Sequence, residues 1–256
     1  MRVSFRSLLA QENTVGTWAQ LPHPESVEIL AASGMDFVII DTEHGHFGIE
    51  TAANMLRAAD ACGIAGVLRV PRPEPWLVSQ ALDLGASAVV APSVETAEQT
   101  RALLAAAHYA PHGTRGACPC TRGGGHWVQD WPGHAAQAAE AVVIPLIETA
   151  AGAANIDAIA AVSGLAALMP GPFDLAVSMG LAGDWRDARV QQAVAAMLRG
   201  ASARGVAPIM PVFAPTDAET AALATAWRAQ GVRHFAVGTD KILLSAAASR
   251  FAASVR

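Results

Sequence analysis

Four short stretches of this sequence hold residue types suited to metal and proton chemistry. Asp41-Thr42-Glu43-His44 closes one apolar run and Arg69 closes another. Glu148 follows the run Val142–Ile147, and Asp174 comes just after Met169-Pro170-Gly171-Pro172. Glu148 and Asp174 have no Cys or His pair at zinc-finger spacing beside them. Two such carboxylates suit a hard divalent cation, magnesium or manganese, with positions left open for water or substrate oxygens. A substrate with adjacent carboxylate and keto oxygens would chelate that ion, which would act as a Lewis acid stabilising an enolate. Arg69 would add positive charge at the developing oxyanion. His44 is the best-placed general base or acid, because imidazole titrates nearest neutral pH. Each residue alone also has a bland reading. A carboxylate at a strand end is more often a cap or an ion-pair partner, Arg69 would pair with Glu43 or Glu148, and His44 would bond a loop carbonyl. Their joint placement favours chemistry.

The elements that must position them alternate. Short β-branched runs are separated by longer Ala-rich stretches, the pattern of buried parallel strands with helical crossovers. The expected strands are Val15–Gln20, Asp36–Asp41, Gly66–Val70, Ala88–Ala91, Val142–Ile147, Ala166–Met169, Ala207–Pro211 and His234–Val237. The expected helices are Glu25–Ala32, Ile49–Cys62, Pro75–Leu84, Thr96–His108, Ile156–Ala161, Val190–Arg204, Asp217–Gln230 and Lys241–Ala253. Eight of each, in 256 residues, fit an α/β fold of the (β/α)8 TIM-barrel type in a single domain covering 1–256. Barrel enzymes gather their chemistry at the C-terminal strand ends, where the four polar stretches fall. The segment Ala110–Gly133 is long for a helix-to-strand connection and is expected to arch over the rim or touch a neighbouring subunit.

Composition narrows the function classes. Hydrophobic residues make up 52% and charged residues 15%, with a net charge of -5, so no general attraction to nucleic acid or anionic lipid is expected. The most apolar stretch, Ala141–Pro172, is broken by Pro145, Glu148 and Asp157, which argues against a membrane span. The start has no sustained apolar segment, so the expected location is cytoplasmic. Cys62, Cys118 and Cys120 read as reduced thiols. Cys118 and Cys120 with His112 and His126 lack zinc-site spacing, and Gly123–Gly125 lacks the Lys-Ser/Thr of a phosphate loop. Trp127 and Trp131 suit an interface better than a pocket cover.

Nearly the whole chain resembles the HpcH/HpaI aldolase family. The resemblance rests on Gly16-Thr17-Trp18, Asp41-Thr42-Glu43-His44, Leu68-Arg69-Val70-Pro71, Leu82-Asp83-Leu84-Gly85-Ala86 and Ala91-Pro92-Ser93-Val94. It continues in Tyr109–Gly116, Ile147-Glu148-Thr149, Gly171-Pro172-Phe173-Asp174-Leu175 and Val237-Gly238-Thr239-Asp240. It implies a class II aldolase that cleaves 4-hydroxy-2-oxo acids to pyruvate and an aldehyde, using Mg2+, Mn2+ or Co2+. Glu148 and Asp174 would be the metal ligands, Arg69 would bind the keto oxygen, and His44 would move protons. Asp83 matches a family aspartate that pairs with the histidine, although it falls late in a helix toward the opposite face. Asp41, at the right strand end, is the competing partner. Trp18, Arg69, Leu146, Gly171, Pro172 and Phe173 are the candidate substrate-binding residues. The resemblance also implies a homohexamer with exchanged C-terminal helices.

Departures bear on the substrate. Leu146 stands where some relatives carry glutamine, and Phe173 is bulky, so small or apolar aldehydes are expected in preference to semialdehydes. The only lysine, Lys241, lies beyond the last strand, which disfavours a Schiff-base route. The competing readings are a citryl-CoA or malyl-CoA lyase-like enzyme, for which the chain is short, and a non-catalytic metal-stabilised binding protein.

Overall fold

In the computed structural model, which describes residues 2–256, eight parallel strands close into one barrel in sequence order. They are β1 (Thr14–Ala19), β2 (Phe37–Asp41), β3 (Ala65–Arg69), β4 (Ala88–Ala91), β5 (Val142–Ile147), β6 (Ala167–Pro170), β7 (Ala207–Val212) and β8 (His234–Thr239). The barrel closes where β1 pairs with β8. The crossovers and ends carry α1 (Phe5–Leu9), α2 (Pro24–Ala32), α3 (Ile49–Cys62), α4 (Pro75–Asp83), α5 (Ala97–Ala107), α6 (Trp131–Ala138), α7 (Ala150–Ala154) and α8 (Ile156–Ala160). They continue with α9 (Pro172–Ser178), α10 (Ala188–Ser202), α11 (Asp217–Arg228) and α12 (Asp240–Ser254). Among the described residues no helix is long and apolar enough to cross a membrane.

The expected strands and helices all form, with ends displaced by a residue or two. Local chemistry sets several boundaries. Thr96 and Gln99 form a reciprocal capping box at the start of α5, and α3 stops at Gly63, whose φ of 73° is cheap only for glycine. Four helices were not expected from the sequence: α1, α6, α7 and α9. Each has eight residues or fewer, too few turns for an apolar period to stand out.

Strand parity decides what faces the axis. Phe37 and Ile39, Ala65 and Val67, Val142, Ile144 and Leu146, and Ala167 and Met169 fill the barrel interior. The alternate residues Val38, Ile40, Leu68, Val143, Ile147 and Leu168 pack outward against the helices. Continuing the inward parity beyond the apolar run brings Asp41, Arg69, Glu148 and Gly171 to the axis at the C-terminal mouth. At the other end α1 acts as a plug: Phe5 and Leu8 join the interior cluster, and the Phe5 ring meets Phe37 edge-on at 5.4 Å.

The long irregular segment lies under that plugged end. Arg122 donates to the Leu84 carbonyl at 2.7 Å and pairs with Asp60, and Arg2 donates to the Gly123 carbonyl at 3.2 Å. Leu84 and Asp60 both sit where a helix returns to the start of a strand, so the segment is remote from the polar mouth. Its last residues are helical, since α6 begins at Trp131. Replacing the plug residue, Phe5→Ala, should cost about 3–4 kcal/mol in urea unfolding, because a buried ring is lost and the rigid barrel cannot collapse into the gap.

Candidate active site

The mouth holds a cavity of about 320 Å3. Nine of the residues singled out from the sequence line it: Trp18, His44, Arg69, Leu146, Glu148, Gly171, Pro172, Phe173 and Asp174. Asp41 lies directly beneath them, fully buried.

The centre of the site is an ion pair across adjacent strands. Asp41 and Arg69 are register partners at the ends of β2 and β3. Arg69 grips Asp41 with two bonds, Nε to Oδ1 at 2.9 Å and Nη2 to Oδ2 at 2.6 Å. Its Nη1 lies 2.9 Å from Glu43 Oε2, and its guanidinium carbon sits 4.5 Å over the Trp18 ring. Asp41 also accepts the Gln20 side-chain amide at 2.8 Å and the backbone N–H groups of Glu43 and His44 at 3.0 and 3.1 Å. Burial would raise the Asp41 carboxyl, but the Arg69 guanidinium, the Gln20 amide and the His44 N–H outweigh it and hold the acid below its usual range. Two of its five N–H groups bond Asp41, and Nη1 faces Glu43 Oε2 as an ion-pair contact without a hydrogen bond, so Arg69 keeps N–H groups for a ligand.

Asp41 therefore orders His44 through the loop backbone, not through the imidazole. The His44 side chain is exposed at the mouth. Asp83 is the one candidate that is not brought to the cavity. It ends α4 on the plugged face and accepts a bond from Arg115 Nη2 at 2.7 Å, as its late-helix position foreshadowed.

Glu148 is held from the neighbouring strand. Its Oε1 accepts Ser93 N–H at 2.7 Å and Ser93 Oγ–H at 3.0 Å. Ser93 takes a left-handed φ of 50°, an uncommon conformation outside glycine that aims both donors at one oxygen. On the other side Gly171 lets the backbone approach: a Cβ there would lie 2.6 Å from Glu148 Cβ. Oε2 receives no donor among the described residues, and Asp174, in the first turn of α9, has no ion-pair partner among them.

The electrostatics follow from this arrangement. Asp41 and Glu43 pair with the Arg69 guanidinium, and Glu148 and Asp174 line the same cavity without a cationic partner among the described residues. Burial pushes the Glu148 carboxyl up to about 7; the Ser93 bonds oppose the rise, and the charges of Asp174 and Glu43 add to it. Burial also raises Glu43, against the pull of Arg69 and with repulsion from Asp41 and Asp174. Among the described residues no three His, Cys, Asp or Glu side chains converge as a metal-binding group. The donor set that does fit a hard cation is the pair Glu148 and Asp174, with the remaining coordination left to water or ligand oxygens.

Sequence reasoning missed Ser93, Gln20 and the wall formed by Trp185, Phe213, Leu223 and Trp227. Ser93 carried a signal, since it follows the apolar run of β4 directly. Phe213 carried one too, following β7 at inward parity. Leu223 and Trp227 carried none, because on α11 they read as ordinary core positions.

The raised Glu148 gives a signed pH prediction. A carboxyl whose folded value lies above its unfolded value adds stability below about pH 4.5, and that stability is lost as pH rises through about 7. In chelator-treated protein, Glu148→Gln should match the parent near pH 4 and exceed it by up to about 3 kcal/mol at pH 8, read by urea unfolding at both pH values. An equal difference at both would remove the buried-charge assignment.

The likeness to known proteins agrees with this geometry. The profile of the HpcH/HpaI aldolase/citrate lyase family matches residues 14–247. The chain is 41% identical over 186 residues to a 4-hydroxy-2-oxovalerate aldolase of Novosphingobium aromaticivorans, covering 70% of this chain and 69% of that one. It is 35% identical over 254 residues to a hydroxypyruvate/pyruvate aldolase of Chromohalobacter salexigens, covering 96% and 95%. A solved HpcH/HpaI aldolase/citrate lyase family protein from Burkholderia cenocepacia superposes with a TM-score of 0.90 at 32% identity over 98% of both chains. A closed barrel with its buried Asp–Arg pair and carboxylates at one mouth, matched by this profile along nearly its whole length, belongs to the HpcH/HpaI aldolase/citrate lyase family.

Proposed function

We propose that this protein is a metal-dependent class II aldolase that reversibly cleaves 4-hydroxy-2-oxo acids to pyruvate and an aldehyde. One observation carries the reading: a buried guanidinium, gripped by Asp41 and with N–H groups left over, faces the same small cavity as the carboxylates Glu148 and Asp174. Glu148 and Asp174 would hold a divalent cation, Mg2+, Mn2+ or Co2+, whose Lewis acidity would polarise the paired carboxylate and keto oxygens of the substrate. Relatives named for 4-hydroxy-2-oxovalerate and for hydroxypyruvate and pyruvate support this substrate class.

The protein's own groups then account for the bond changes. His44 accepts the proton of the 4-hydroxyl as the bond between carbons 3 and 4 breaks and the aldehyde carbonyl forms. The electron pair moves into the pyruvate enolate, whose oxygen takes up the free N–H groups of Arg69. Asp41, Gln20 and the Trp18 ring keep the guanidinium in place, so little reorganisation is needed when charge develops. Return of the proton to carbon 3 gives pyruvate, and the reverse sequence is aldol addition. Lys241 lies outside the cavity lining, in keeping with a route without a Schiff base. The same reading includes assembly: Ile242, Leu244 and Phe251 of the last helix, and Val255 just after it, are exposed and support an oligomer, whose mass light scattering of the intact protein measures.

Pyruvate release from a panel of 4-hydroxy-2-oxo acids, assayed with chelator-treated protein before and after adding each metal, tests the proposal. Release should require metal and fall at least about 100-fold in Glu148→Ala, the scale of losing a preorganised electrostatic element. Metal-independent release, or full release by the variant, would overturn it.

A further inference from the structure

The cavity is divided by chemistry. Its polar side is built from β1, β2, β3 and β5, where Gln20, His44, Arg69 and Glu148 stand. Its other side is built from β6, β7 and the segments after them. There Met169, Phe173, Trp185, Phe213, Leu223 and Trp227 make a continuous apolar wall. Phe173 and Phe213 are 57% and 44% exposed, although large aromatic side chains gain by burial. That exposure is at the rim of the cavity, where a ligand tail would cover it.

The wall offers nothing to a charged tail. Among the described residues Arg69 is the only Arg or Lys lining the cavity, and in the aldolase reading its free N–H groups serve the keto oxygen, on the side away from the wall. Arg186 stacks on the Trp185 ring at 4.4 Å and lies 3.7 Å from Glu219, outside the lining. A second carboxylate on the substrate would therefore meet aromatic faces and the carboxylates of Glu148 and Asp174, losing water without gaining a cationic partner. A polyhydroxylated tail would find along the same wall only the indole N–H groups of Trp185 and Trp227 as polar partners, too few for its hydroxyls.

We propose that this wall is the acceptor subsite and that it selects aldehydes with an apolar tail, aryl or branched alkyl, with Trp185 and Phe213 as specificity-determining residues. This rests on the aldolase reading for the position of the reacting carbons, which place the tail of a 4-hydroxy-2-oxo acid across the cavity from Arg69. Strand parity supplies the geometric reason. Phe213 continues the inward series Ile209 and Pro211 of β7, as Arg69 ends that of β3, four strands away in the closed order, so the two stand across the axis from each other.

The test uses two 2-oxo acids that bind without being cleaved, since neither has a 4-hydroxyl: 4-phenyl-2-oxobutanoate, with an aryl tail, and 2-oxoadipate, with a carboxylate tail. Calorimetric titration of each into the intact Mg2+-loaded protein should give at least about tenfold tighter binding of the aryl compound, roughly 1.4 kcal/mol. Phe213→Ala and Trp185→Ala, both at partly exposed positions, should each shrink that ratio about threefold or more, and Phe213→Arg should bring it below one. Equal or tighter binding of 2-oxoadipate by the parent protein would overturn the proposal, as would a ratio unchanged in all three variants. The aldolase reading fails separately, by absence of pyruvate release from every hydroxy acid while the binding preference persists.

Discussion

The mouth of this barrel is organised by one buried ion pair. Asp41 and Arg69 sit opposite each other at the last ladder positions of adjacent strands, and removing both charges from water costs several kcal/mol per ion. The cost is offset by two parallel bonds, by the Gln20 amide, by two loop N–H groups and by the Trp18 face, so every lone pair of Asp41 has a donor. A pair so completed fixes more than itself. It holds the loop that carries Glu43 and His44 through their backbone N–H groups, and it leaves the guanidinium lining the cavity with N–H groups to spare. Closure of the barrel makes this possible, because neighbouring strand ends cannot splay apart when β1 is bonded to β8.

The second organising feature is an imbalance. Four carboxylates stand at a mouth lined by one guanidinium; Arg69 pairs with Asp41 and Glu43, and of the two left over Glu148 is pushed up to about 7, chiefly by burial. Two devices hold it there despite the cost: the left-handed Ser93, which turns two donors onto one oxygen, and Gly171, which has no side chain to displace it. Strain and close approach spent on keeping an acid in an unfavourable place are what a cation-binding or catalytic position requires. The same parity that sends these acids inward from β2 and β5 sends Phe213 inward from β7, so the polar and apolar halves of the cavity follow from a single rule.

Much of this was legible in the sequence. The alternation of apolar runs and Ala-rich stretches was sufficient for the barrel, and polar residues closing those runs were sufficient for Asp41, Arg69 and Glu148, because a period of two continues past the strand. Partnership was harder to read. Arg69 had Glu43 or Glu148 as prospective partners, and the structure gives it Asp41 and Glu43, a choice made by register, which only the closed ladder defines. Asp83 shared a motif with the site yet lies on the plugged face against Arg115, since the end of a helix returns to the start of a strand. Leu223 and Trp227 were invisible as cavity residues because a helix face that packs on the barrel and one that borders its mouth have the same apolar pattern. The long segment expected near the rim folds beneath the barrel for a topological reason: helix-to-strand connections all lie at that end.

Exchange of the pyruvate methyl protons for deuterium, followed by proton NMR in D2O with Mg2+, tests most directly whether this mouth stabilises an enolate, since it needs no acceptor aldehyde. Metal-dependent loss of the methyl signal in the parent protein, slowed at least about 100-fold in Arg69→Lys, is the expected result, because a lysine cannot reproduce the bidentate grip that positions the charge. Absence of exchange in the parent with Mg2+, or undiminished exchange in Arg69→Lys, would contradict it.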